Sequence, residues 1–108
     1  MMTSKVLFGW LLLGLSACSG PSEEEVQKEF DAYVASRNAC TATTDCVLAY
    51  AECPLGCWAA VNRAYQADVE AKGRELAADY QNGGPSCVYD CQQAVAVCTD
   101  GHCVAETQ

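Results

Sequence analysis

The sequence has almost no histidine and few positive charges, and each scarcity removes a class of function. His102 is the single histidine in 108 residues. It sits beside Asp100 in a segment that reads as an exposed turn, so a hydrolytic nucleophile would lack a positioned base. Cysteine-based metal sites usually group paired C-x-x-C motifs or mix cysteine with several histidines, and neither pattern occurs. Lysine and arginine number 6 against 14 carboxylates, a net charge of −8, which is the wrong sign for binding a phosphate backbone. A glycine-rich phosphate loop is also missing, because Gly83-Gly84 is followed by Pro85 and not by a lysine-bearing helix start. The N-terminal apolar stretch, Val6 to Leu15, is about ten residues long, whereas a membrane-spanning helix needs roughly 20.

That stretch has another use. One positive charge (Lys5), a short apolar segment and small residues at its end make up a secretory signal, which assigns residues 1–17 to a removed leader. The run Leu15-Ser16-Ala17-Cys18 resembles the bacterial lipobox, in which leucine, two small residues and an invariant cysteine direct lipoprotein processing. The resemblance implies that the chain is cut before Cys18, that the Cys18 thiol carries a diacylglyceryl group and that its new amino group is acylated. Two or three acyl chains hold a protein on a membrane, where one holds it only marginally. Ser19 occupies the position at which aspartate signals inner-membrane retention in enteric bacteria, so in a Gram-negative host the resemblance implies the outer membrane. The implied partner is the membrane itself, reached through the lipid. Removal of the leader also removes Lys5, leaving five cations against 14 carboxylates; such a body gains nothing from anionic head groups.

Cysteine is the abundant residue. Nine are present, an odd number in an oxidising compartment, and assigning Cys18 to lipid leaves eight. These are Cys40, Cys46, Cys53, Cys57, Cys87, Cys91, Cys98 and Cys103, the candidates for up to four disulfides. Eight cysteines allow 105 connectivities, so spacing does not fix the pairing. The mature 91 residues suffice for one small domain that needs such staples. Residues 18–22 read as a lipidated tether and 23–108 as a single disulfide-rich domain.

Within that domain, Ser22 with Glu25 forms a capping box, and Glu23 and Glu24 favour the start of a helix over Glu23 to Arg37. Val26, Phe30, Tyr33 and Val34 share one face of it. Asn38 to Asp45 reads as a loop and Cys46 to Ala51 as a strand. Cys53 to Cys57 reads as a turn. The recurrence Trp58, Val61, Tyr65, Val69, Leu76, Tyr80 predicts a second amphipathic helix to about Gln81, with Gly73 on its apolar side for close approach by a neighbour. Asn82-Gly83-Gly84-Pro85 ends it. Val95 and Val97, Asp100-Gly101 and Val104 read as a C-terminal β-hairpin. In its register Thr99 faces His102 and Cys98 faces Cys103, so a cross-strand disulfide is geometrically open, with the valines turned to the helices. The strand at Cys46 would join the same sheet. The expected fold is α+β: two amphipathic helices packed on a small antiparallel sheet.

The spacings Cys53-x3-Cys57 and Cys87-x3-Cys91 are similar to twin C-x3-C helical hairpins, in which two parallel disulfides zip neighbouring helices. That likeness implies a disulfide staple between the two regions, for instance Cys53 with Cys91 and Cys57 with Cys87. The first motif departs from a helix in containing Pro54 and Gly56, and 29 residues separate the two motifs. Function reads as non-enzymatic and free of cofactor: a lipid-anchored envelope protein whose rigid loops, Leu55 to Trp58 or Asn82 to Ser86, meet an envelope protein. The competing reading is thiol-disulfide exchange or metal handling by the C-x3-C cysteines, with Cys57 activated at the start of the second helix.

Overall fold

A computed structural model describes residues 21–80 and 90–108. The leader, Cys18, most of the tether, the Asn82 to Ser86 loop and Cys87 lie outside the described residues. The described chain is a small α+β domain of two helices and two separate two-stranded antiparallel sheets. Its elements are α1 (Glu23–Ala35), β1 (Cys46–Tyr50), β2 (Trp58–Asn62), α2 (Gln66–Tyr80), β3 (Ala94–Thr99) and β4 (His102–Thr107).

Helix α1 begins where its chemistry dictates. Ser22 Oγ accepts from the Glu25 amide at 3.1 Å and Glu25 Oε1 accepts from the Ser22 amide at 2.9 Å, so two otherwise unpaired donors are satisfied reciprocally. The helix stops two residues before the expected Arg37, because the Arg37 guanidinium turns back to donate to the Tyr33 carbonyl and stacks on the Tyr33 ring at 3.6 Å.

The central layer is the β1-β2 ribbon. Side chains alternate across it, so Val47 and Ala49 with Ala59 and Val61 meet the helices, while Cys46 and Leu48 with Ala60 face away. On the helical side they pack with Val26, Phe30, Val69 and Leu76 into the main core. On the other side lies the β3-β4 ribbon, whose Ala96, Cys98 and Cys103 close a second, cysteine-rich core. The layers are therefore helices, ribbon, ribbon.

This order corrects four sequence expectations. Trp58 to Val61 is strand, not helix: its apparent helical spacing is an accident of Trp58 facing one way and Val61 the other in a ribbon paired to β1. Helix α2 starts only at Gln66, after Asn62 Oδ1 has capped a short turn by accepting from the Ala64 amide. The Cys46 strand does not extend the C-terminal sheet; it pairs with β2. The valines do not face the helices. Strand periodicity places Val95, Val97 and Val104 opposite to Cys98 and Cys103, and the cysteines must turn inward to reach their partners, so Val95 and Val104 stay exposed. Finally, Cys98 and Cys103 do stand opposite each other beside the Asp100-Gly101 turn, where both residues have positive φ (52° and 84°), but they do not bond to each other.

Gly73 faces Phe30 and Leu55, as a close approach between helices would have it. An added Cβ would lie 3.5 Å from Phe30 Cε1, an ordinary contact, so the glycine is not sterically required. Gly73→Ala is therefore expected to stabilise the domain by about 0.5 to 1 kcal/mol through helix propensity, read as a higher denaturant midpoint. A drop in midpoint would mean that α1 and α2 cannot absorb a methyl group.

Candidate functional site

Three disulfides join the described layers. Cys40–Cys98 and Cys46–Cys103 stitch the segment before β1, and β1 itself, to the β3-β4 ribbon, and Cys57–Cys91 ties the start of β2 to the residues before β3. Cys57–Cys91 is a staple between the two C-x3-C regions, but not in the pairing given as its instance, in which Cys57 would have met Cys87 and Cys91 would have met Cys53. The reason is local: Pro54 and a Gly56 with φ of 111° make the first motif a turn between strands, so no pair of helices exists there to be zipped. Cys53 is disulfide-bonded as well. Cys57 also lies nine residues ahead of Gln66, where α2 begins, and not beside the start of that helix as expected, so no helix dipole acts on its sulfur.

The sulfurs of Cys40, Cys46 and Cys103 lie within 4.8 Å of one another. As thiolates they would suit a soft metal, but here all three are half of a disulfide. Between Cys40 and Cys46 the chain is held by one carboxylate. Asp45 Oδ2 accepts from the Thr41 amide (2.9 Å), the Thr41 hydroxyl (3.0 Å) and the Ala42 amide (3.0 Å). The Thr41 and Ala42 amides hold its carboxyl below the usual value of 3.8. A depressed carboxyl contributes at pH above its unfolded value and loses that contribution as pH falls through the folded one. The Thr41 and Ala42 amide resonances are thus expected to hold constant from neutral pH down to about pH 4 and to move only below it. Movement centred well above that would contradict the assignment.

His102 begins β4, exposed, with Nδ1 at 3.0 Å from Asn38 Oδ1. It has no cysteine or serine nucleophile as a partner among the described residues, and it pins the turn to the segment after α1. That segment continues the contact: the Cys103 amide donates to the Asn38 carbonyl at 2.7 Å and the Cys40 amide to the Gly101 carbonyl at 2.9 Å.

The outer layers do not close completely over the central ribbon. A cleft of about 460 Å³ opens between α1 and β4, with β2 at its floor. Phe30, Val34, Leu55 and Trp58 supply its apolar surface, and Gln27, Asp31 and Asn38 supply its polar edge. Leu55 and Trp58, from the loop that the sequence singled out for rigidity, are both part of it. The α1, β4 and Asn38 contributions were not foreseen, because they reach the cleft only through the layer order. No family model, curated protein or solved structure matches the chain. Its functional reading therefore rests on this geometry and on the N-terminal motif. Among the described residues no helix is long and apolar enough to cross a membrane.

The charge around the cleft is one-sided. Among the described residues Asp31 is the only acidic or basic side chain lining it, and the adjoining surface of α1 carries Glu23, Glu24 and Glu25 with Lys28 as the single basic residue. On the far side of α1, Lys72 bridges from α2 to Glu29 at 2.9 Å; this hydrogen bond to the carboxylate raises the Lys72 pKa.

Proposed function

We propose that this chain is a bacterial envelope lipoprotein, anchored by lipid on Cys18, whose disulfide-stapled domain is a non-enzymatic module that binds another envelope protein. The observation that carries the binding role is the cleft beside β2: an apolar floor with a polar rim, built on a scaffold cross-linked on several sides. Such stapling lowers the ordering cost of docking. The anchor is supported by Leu15-Ser16-Ala17-Cys18 and by the cysteine count, in which nine is odd and eight remain to pair once Cys18 is set aside. In this reading two amphipathic helices and a C-terminal β-hairpin are the frame, and the outer membrane is the destination in a Gram-negative cell.

With lipid on Cys18 the domain stands close to the bilayer. The cap Ser22 lies four positions after Cys18, a reach of at most about 14 Å. The acidic start of α1 then faces the head-group region, and the partner is a protein of that same surface.

Thiol-disulfide exchange is the weaker reading, since Cys57 is bonded to Cys91 across the two motifs rather than to Cys53 within one. A photo-crosslinking side chain placed at Gln27 or Trp58 in intact cells is expected to give one discrete protein adduct, absent when the crosslinker replaces Arg74 on α2. Adducts of equal yield at all three positions, or free thiols that titrate reversibly on the native protein, would contradict the binding role.

A further inference from the structure

We infer that the cleft receives an extended, basic segment of the partner as an added β-strand on the open edge of β2; this deepens the protein-binding role and rests on it. The Ala51 amide donates to the Cys57 carbonyl at 3.1 Å. In the antiparallel register, that bond makes 49 with 59 and 47 with 61 the mutually hydrogen-bonded pairs. Trp58, Ala60 and Asn62 must then direct their backbone N–H and C=O groups away from β1.

The two edges of the ribbon are treated differently. On β1, the corresponding outward groups are closed by α2: Gln66 Nε2 donates to the Leu48 carbonyl at 3.0 Å, and the Tyr50 amide donates to Glu70 Oε2 at 2.9 Å. On β2, the Asn62 amide donates to the Arg37 carbonyl at 2.9 Å, and among the described residues the cover ends there. Among the described residues no strand pairs with the edge at Ala60 and Trp58, which line the cleft. An unpaired strand edge is a template for main-chain pairing, and here it is set in a cleft that limits what can reach it.

The occupant's chemistry follows from the walls. Side chains of an added strand alternate between two directions, and both walls offer apolar surface: Phe30 and Val34 on the α1 side, Val104 and Ala105 on the β4 side. The charge they meet is Asp31 and the acidic first turns of α1, in a chain of net charge −8. A segment alternating apolar and basic residues fits both.

The test uses the full-length, isotope-labelled protein in neutral detergent, with a short peptide alternating lysine and valine as the probe. The Trp58 and Ala60 amides are expected to shift on titration while that of Tyr50 stays in place. N-methylation of the peptide on the residues that face the edge is expected to weaken binding about tenfold, and Asp31→Asn about two- to fivefold. A glutamate-valine peptide is expected to leave the edge unmoved. Ala60→Pro removes the edge donor and should abolish the shifts at Trp58; because that variant could disturb folding, the N-methylated peptide makes the same test on unaltered protein. Shifts confined to Glu23 through Asp31, indifference to N-methylation, or equal binding of the acidic peptide would overturn the strand pairing. An edge that ignores the basic peptide, in a protein that still forms its discrete adduct in cells, overturns the pairing and leaves the binding role standing. Edge shifts without any cellular adduct support the pairing and overturn the cellular role.

Discussion

Replacing all four cysteines of the Cys40–Cys98 and Cys46–Cys103 bridges by alanine is expected to cost about 6 kcal/mol, roughly twice the cost of removing either bridge alone. The two bridges span sequence separations of 58 and 57 residues, but they run side by side. With one intact, the other closes only a small ring of about a dozen residues, and loop-closure entropy assigns that ring about 3 kcal/mol. With both absent, the β3-β4 ribbon is still tied through Cys57–Cys91, and the ring closed by the first lost bridge is about twice as large. A domain of this size has roughly 5 to 14 kcal/mol of stability in total. Each two-alanine variant should therefore stay folded with a lower denaturant midpoint, and the four-alanine variant should lose its near-ultraviolet circular dichroism at room temperature. An unchanged midpoint in the four-alanine variant would show that the outer ribbon docks without its staples.

Phe30→Ala carries the second large effect, a loss of about 3 kcal/mol. The ring is 3 % exposed and packs over Gly73 between the two helices, so its removal opens a void where α1, α2 and Leu55 meet. Buried phenylalanines usually cost about 3 to 5 kcal/mol on truncation. The lower end is expected because Phe30 also lines the cleft, from which solvent can enter the space it leaves. Combined with Gly73→Ala, the loss should be smaller than the two separate effects predict, since the new methyl group points at the vacated ring position. Strict additivity in chemical denaturation would place the two residues in independent parts of the core.

What the sequence disclosed about this fold was its local chemistry. Ser22 with Glu25 and the Asp100-Gly101 turn are signals carried by the residues that make the structure, so they could be read without knowing what surrounds them. The strand at Trp58 to Asn62 was hidden because Trp58, Val61, Tyr65 and Val69 recur at steps that suit a helix, and the short alanine pair between them favours neither state. Asn62 held the missing signal: an asparagine whose side chain accepts from the amide two residues on marks a chain that has not yet begun its helix. The orientation of the valines could not be read at all. Period two allows either face to be inner, and the choice falls to Cys98 and Cys103, whose partners are 58 and 57 residues distant.

The same holds for the candidate site. Leu55 and Trp58 were found from the rigidity of the Cys53 to Cys57 turn, but their setting depends on α1 and β4 standing on opposite sides of one ribbon. The open edge of β2 depends on hydrogen-bond phase, which follows from register and not from composition.

The central claim is that this disulfide-stapled module acts at a membrane surface to which Cys18 holds it. The intact mass of the protein extracted from the membrane fraction tests it most directly. The expected species is a chain beginning at Cys18 with the added mass of a diacylglyceryl group and an amide-linked acyl chain. A membrane-derived chain that begins elsewhere, or one that begins at Cys18 with no lipid mass, would contradict it.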